Sequence, residues 1–176
     1  MKPSILTNSG ASFDFIDLES NRIDIEQIAH ALSQICRFTG HTSTFYSVAQ
    51  HSVYVSYLVP PKHALAGLLH DAAEALLGDV SSPLKQLLPD YRAIESRVEA
   101  FVFGHFGLPA TLSAPVKHAD LVMLATEQRD LMPKTVERWD WQDIPGIEPL
   151  WQHVIPLNAT TAKRKFLERF AQLQVA

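Results

Sequence analysis

His70 and Asp71 are adjacent, and Glu74 and Asp79 follow, in a stretch that is otherwise apolar. Ala66-Gly67-Leu68-Leu69 precedes the pair, and Ala72-Ala73 and Ala75-Leu76-Leu77 fill the gaps. Ionisable groups in such surroundings are costly to strip of water unless a strong partner or a cation meets them. Imidazole and carboxylate together suit several divalent metals, and the residue types leave Mn, Co, Fe, Ni, Mg and Zn all open. Read as a helix, His70 and Glu74 are four apart and Asp71 and Glu74 three apart, on neighbouring turns of one surface. His51 upstream and Asp120 downstream, each in its own helical segment, are the other candidate ligands. The ordered set His51, His70, Asp71 and Asp120 therefore reads as one divalent-metal site of a hydrolase. A plainer reading competes with it: a buried histidine bonded to a carbonyl, with Asp71 and Glu74 on a solvated face.

Those side chains need helices to hold them, and the periodicity supplies them. Ile25, Ile28, Ala29, Leu32 and Ile35 share one helical face behind Asp24 as N-cap. A second helix is predicted over 45–58, carrying His51. Pro60-Pro61 stops it and starts a third over 62–77, since proline is tolerated in a first turn. Gly78-Asp79 reads as a C-terminus, and Ser81-Ser82-Pro83 as the start of a short helix. Longer helices follow over 91–106, with Ile94, Val98, Phe101 and Val102 as the buried stripe, and over 115–132. Residues 133–157 read as irregular with one short helix, and Asn158 caps a last helix over 159–173. Phe13 to Asp17 alternates enough for a short strand or extended lead-in. The expectation is an all-α domain over 1–176, with a helical core at 24–132 and a possible short N-terminal β element.

Hydrophobic residues make up 47% of the 176 and charged residues 19%, enough for one substantial core. A net charge of −4 argues against a broad nucleic-acid or anionic-membrane surface, but not against a local basic pocket for a phosphate. The lone Cys36 excludes an intramolecular disulfide and reads as a small buried hydrophobe. No apolar run reaches membrane-spanning length, and Met1-Lys2-Pro3-Ser4 lacks a signal-peptide core, so a cytoplasmic protein is expected.

The run Ala66–Asp79 followed by Ser81-Ser82-Pro83-Leu84-Lys85, together with Val48-Ala49-Gln50-His51-Ser52 and Lys117-His118-Ala119-Asp120, resembles the HD-domain metal-dependent phosphohydrolases. Within them it looks most like the bacterial 5'-deoxynucleotidases, over about residues 35–130. The resemblance implies that His51, His70, Asp71 and Asp120 bind one divalent metal. Glu74 would orient or deprotonate the attacking water, and Asp79 would lie at the substrate sugar and reacting phosphate. Arg37 matches a phosphate-binding arginine, whose planar donors suit a dianion. Lys85 would be a second cationic contact or a solvated lysine, and His41 a loop residue that either faces the pocket or does not. Phe38 stands where the nucleotidases carry tryptophan. Arg37 to Thr42 and the tryptophan-rich segment also resemble a separate, less characterised bacterial branch.

The function so implied is removal of phosphate from a small phosphorylated metabolite, first a (deoxy)nucleoside 5'-monophosphate. Hydrolysis of a pyrophosphate or triphosphate linkage, and a non-catalytic metal- and nucleotide-binding module, are the alternatives. No nucleic-acid or membrane partner is expected, and a homodimer is allowed for. Trp139, Trp141 and Trp151 read as packing or subunit contacts rather than a base-stacking platform, and Glu127, two turns beyond Asp120, as a residue able to look toward the cleft.

Overall fold

A computed structural model describes residues 2–175. The fold is all-α apart from one N-terminal hairpin, in which β1 (Ser4–Leu6) pairs antiparallel with β2 (Ser12–Asp14), Ile5 opposite Phe13. The strand ends at Asp14, short of Asp17, because the Asp14 carboxylate accepts the N–H groups of Ile16 and Asp17 and turns the chain.

Helix α1 (Ile25–Gln34) is capped by Asp24, which accepts the Gln27 N–H, and buries Ile28, Ala29 and Leu32. Helix α2 (Val48–Leu58) begins later than Phe45, at the point where Ser47 Oγ accepts the Gln50 N–H. Between them the chain folds back on itself, with Arg37 N–H on Tyr46 O and Val48 N–H on Ile35 O, which holds Arg37 beside the start of α2. The helix predicted over 62–77 is broken. Helix α3 spans Ala64–Leu69, and the chain then tightens through i→i+3 bonds (Ala72 N–H to Leu69 O, Glu74 N–H to Asp71 O) before α4 (Glu74–Leu77). Gly78, at φ +81°, ends α4 with its N–H on Glu74 O.

Short α5 (Ser82–Lys85) leads into α6 (Pro89–His105), whose buried positions are Val98, Val102 and Phe103. Ile94, expected in that stripe, is 39% exposed instead. Helix α7 (Ala114–Leu131) carries Asp120, a 3-10 turn occupies Asp140–Asp143, and α8 (Ala159–Gln174) starts at Asn158, which accepts the Thr161 N–H.

Helix α2 is buried nearly all round, as expected of a helix at the centre of a bundle. It gives Val48 and Val53 to one apolar cluster, with Phe13, Leu32, Leu68 and Phe166, and Val55 to another, with Val59 just past its end, Tyr46, Val116 and Met123. Helix α3 lies so close against it that a Cβ on Gly67 would sit 3.2 Å from Ser56 Cα. That contact sets His70 against His51. Among the described residues no helix is long and apolar enough to cross a membrane.

Candidate metal centre

His51 of α2, Asp120 of α7 and His70, in the turn between α3 and α4, bring ligand atoms within 4.8 Å of one another, and Asp71, next to His70, approaches the two histidines. His51 Nε2 lies 3.2 Å from His70 Nε2, 3.1 Å from Asp120 Oδ1 and 3.7 Å from Asp71 Oδ2. His70 Nε2 lies 3.2 Å from Asp71 Oδ2 and 3.8 Å from Asp120 Oδ1. Two donors about 2.1 Å from one ion and roughly 90–110° apart stand about 3.0–3.4 Å from each other, which is the spacing of the short edges here. His51 and His70, both buried, and the half-buried Asp120 could together hold a metal ion.

The far edge of each imidazole decides what the near edge offers. His70 Nδ1 lies 2.9 Å from the Gly67 carbonyl, which can only accept, so the proton sits on Nδ1. His51 Nδ1 likewise donates to Glu127 Oε1 at 2.6 Å. In their neutral forms the two rings would turn Nε2 lone pairs toward one another, an arrangement that repels unless a cation or a proton lies between them. A carboxylate behind a ligating histidine is the usual means of fixing tautomer and ring orientation. Asp71 Oδ2 is buried without a hydrogen-bond partner, as expected of an atom reserved for an ion. The donor set fits a divalent cation.

The surrounding charge agrees. Asp71, Asp79, Asp120, Glu74 and Glu127 border the site against Arg37 and Lys85. Burial pushes the His70 imidazole down, but Asp71 and Asp120 outweigh it and leave it well above its ordinary value. His51 is raised too: burial and Arg37 depress it, and Glu127 and Asp120 more than offset them. Asp71 is held at about 2 because His70 and His51 overcome its burial. Each shift describes a site that attracts positive charge.

Glu127 is fully buried and serves three partners. Besides His51 it accepts from Tyr46 OH at 2.8 Å and from Arg37 Nη2 at 3.0 Å. Its seven-residue offset from Asp120 on α7 is two helical turns, which was the available signal; Tyr46, outside any helix, carried none.

The other predicted residues differ in their settings. Arg37 is mostly buried, pairs with Glu127 and keeps Nη1 3.8 Å from Asp71 Oδ2. Glu74 is buried, its Oε2 has no partner, and burial followed by Asp71 and Asp79 drives its carboxyl well above the ordinary range. Asp79 is half-buried and raised by burial. Lys85 is held by Glu95 at 2.6 Å and stands 3.9 Å from Glu74. Phe38 lies under the Arg37 guanidinium. His41 is exposed, and it is its backbone N–H, bonded to Phe38 O, that ties it in.

Fold and site together define a mainly helical protein with a buried His/Asp cluster suited to a metal ion. No family model matches the chain. The uncharacterized protein YfdR of Escherichia coli (strain K12) is 47% identical over 170 residues, 96% of this chain and 94% of that protein. An uncharacterized protein of Rhodobacter capsulatus is 40% identical over 121 residues, 63% of this chain and 62% of that protein. The chain belongs to the YfdR family.

Proposed function

We propose that this protein is a metal-dependent phosphohydrolase of the HD type that removes phosphate from a small phosphorylated metabolite, a nucleoside or deoxynucleoside 5'-monophosphate in the first instance. The observation that carries the reading is the convergence of His51 Nε2, His70 Nε2, Asp71 Oδ2 and Asp120 Oδ1, with the outer edge of each imidazole already committed. These four residues would hold one divalent ion. Such an ion, when bound, polarises a phosphoryl oxygen and lowers the pKa of water.

The protein's own groups complete the chemistry. Arg37 is fixed through Nη2 by Glu127, which leaves Nη1 to donate to a phosphate oxygen. Glu74 takes the proton of the attacking water at Oε2, its unpartnered oxygen, as the new P–O bond forms. The ester oxygen, released as its own bond to phosphorus breaks, takes that proton and leaves as the nucleoside hydroxyl. A carboxyl raised above the ordinary range is a stronger base once ionised. Lys85 restrains Glu74 from the other side. Asp79, next to the Gly78 turn, accepts from a sugar hydroxyl.

Phosphate release from a panel of phosphomonoesters, run with Mn, Co, Ni, Mg, Fe and Zn in turn, tests the reading. Release from nucleoside monophosphates, about one metal per chain, and loss of both in a still-helical Asp71→Asn variant are the expected results. Protein that binds each metal and releases phosphate from none of the panel overturns it.

A further inference from the structure

Phe38 and Thr39 both adopt left-handed backbone (φ 53° and 54°), directly between Arg37 and Gly40. Two consecutive non-glycine residues there are sterically disfavoured, and strain of this kind persists where the surroundings over-determine it, often at ligand clamps. The strained turn brings the Phe38 ring back against Arg37, with the guanidinium carbon 5.3 Å from the ring centroid. The same ring meets the edge of Trp139, centroids 5.8 Å apart at 62°.

Trp139 is not a loose surface residue. Its backbone N–H bonds Gln142 Oε1, and the next indole, Trp141, donates to Gln128 Oε1 at 2.7 Å. Gln128 follows Glu127 on α7, so the segment carrying Trp139 is fastened to the helix that aims Arg37. Both aromatic rings remain half-buried rather than enclosed. The order of groups leading away from Asp71 is therefore cationic donor, aromatic ring, second aromatic ring. A nucleotide presents the complementary order: anionic phosphate, sugar, planar base.

Resting on the phosphohydrolase reading, we propose that Trp139, with Phe38, forms an aromatic wall for the leaving group. Trp139 thereby sets a preference for phosphomonoesters of heteroaromatic nucleosides over sugar or alkyl phosphates. Stacking against an aromatic side chain is sequence-tolerant, since every base has a π-face, so the preference is for a base and not for one base.

The experiment compares adenosine 5'-monophosphate with ribose 5-phosphate on the parent, Trp139→Leu, Trp139→Phe and Phe38→Leu, by intrinsic fluorescence in metal-free protein and by kcat/KM with Mn. Adenosine monophosphate quenches the parent, and the part of the quenching due to Trp139 disappears in Trp139→Leu. The kcat/KM preference for adenosine monophosphate over ribose 5-phosphate falls about 10-fold in Trp139→Leu, the scale of one stacked base, falls likewise in Phe38→Leu, and is largely kept in Trp139→Phe. Unchanged preference in both leucine variants, or no quenching of the parent, overturns the wall. Quenching that is lost in Trp139→Leu while no variant releases phosphate from either compound overturns the phosphohydrolase reading and leaves the wall standing as a binding site.

Discussion

Glu127 joins three demands in one carboxylate: it fixes the His51 tautomer, neutralises Arg37 and satisfies Tyr46. Burial alone would raise its pKa, yet His51 and Arg37 hold it below the ordinary carboxylate value. Glu127→Gln keeps an acceptor for His51 but turns an N–H toward Arg37 Nη2, leaving a buried guanidinium facing a donor. Loss of about 3 kcal/mol in urea unfolding and a roughly 10–100-fold weaker metal affinity in chelator competition are expected; parent-like values for both would mean that Glu127 holds neither residue. Glu74 makes a different case, because the removal of its charge leaves the four proposed ligands intact. Glu74→Gln is expected to retain metal by elemental analysis and to lose turnover by about 10²-fold or more. Undiminished kcat would assign the base elsewhere. That His51, His70, Asp71 and Asp120 lie near one another was legible from residue type and order, because ionisable groups in an apolar run need strong partners. Tyr46 and the full role of Glu127 were not, because which face of α7 looks inward is decided by α2 packing across it.

At the scale of elements, the approach of α2 and α3 sets the distance between the two histidines. Gly67→Ala places a methyl 3.2 Å from both Ser56 Cα and Val59 Cγ2, and backbone on one side cannot give way cheaply. Destabilisation of about 1–3 kcal/mol is expected, with weaker metal binding because His70 Nδ1 rests on the Gly67 carbonyl. Gly104→Ala, with open space around it inside α6, is the control and gains about 0.5–1 kcal/mol by helix propensity. If both variants melt alike, the close approach does not position the site. In the Arg37–Gly40 turn, the β-branched Thr39 sits exposed in left-handed backbone. Thr39→Asn, which tolerates that region, is expected to raise stability by about 0.5–1 kcal/mol, and no gain in a thermal melt would refute stored strain there. Neither the turn nor the break at His70–Ala73 could be read in advance. Leu68-Leu69…Ala72-Ala73 favours helix residue by residue, and it is i→i+3 bonding around the His70–Gly67 contact that tightens the chain.

Across the whole molecule, the later part of the irregular segment after α7 is gathered around one carboxylate. Asp130 accepts from Arg129 Nε and Nη2, from His153 Nδ1 at 2.8 Å and from the Val154 N–H at 2.8 Å. Arg129 in turn donates to the carbonyls of Leu150 and Gln152. The Arg129 bonds, above all, hold the Asp130 carboxyl far below its ordinary value, against its own burial. A depressed folded-state value means that the stabilisation is complete above about pH 4 and drains as pH falls toward the folded-state value. Asp130→Asn is therefore expected to be less stable than the parent at pH 7, by about 1–3 kcal/mol for charge-assisted bonds, and the gap should narrow between about pH 4 and pH 2. A gap independent of pH in paired thermal melts would remove the carboxylate from this role. Helix content and the caps Asp24 and Asn158 were legible because local pattern decides them. The exposure of Ile94 and the Phe38–Trp139 pairing were not, since each depends on what a distant segment covers.

Helix α8 is the last of these elements to emerge during synthesis, yet Ala162 and Phe166 are completely buried among residues of α1, α2 and α3. Arg169 also grips Ser56 on the far side of α2 from the proposed ligands. On the ribosome, then, α2 with His51 and the turn with His70 wait with an open seam until about residue 166 has cleared the exit tunnel. At typical rates of about 5–20 residues per second, that wait lasts several seconds after His70 has been added. On the metal reading proposed above, the ion would then be taken up after α8 has docked, from those met at that stage rather than from those available while the helices before it are being made.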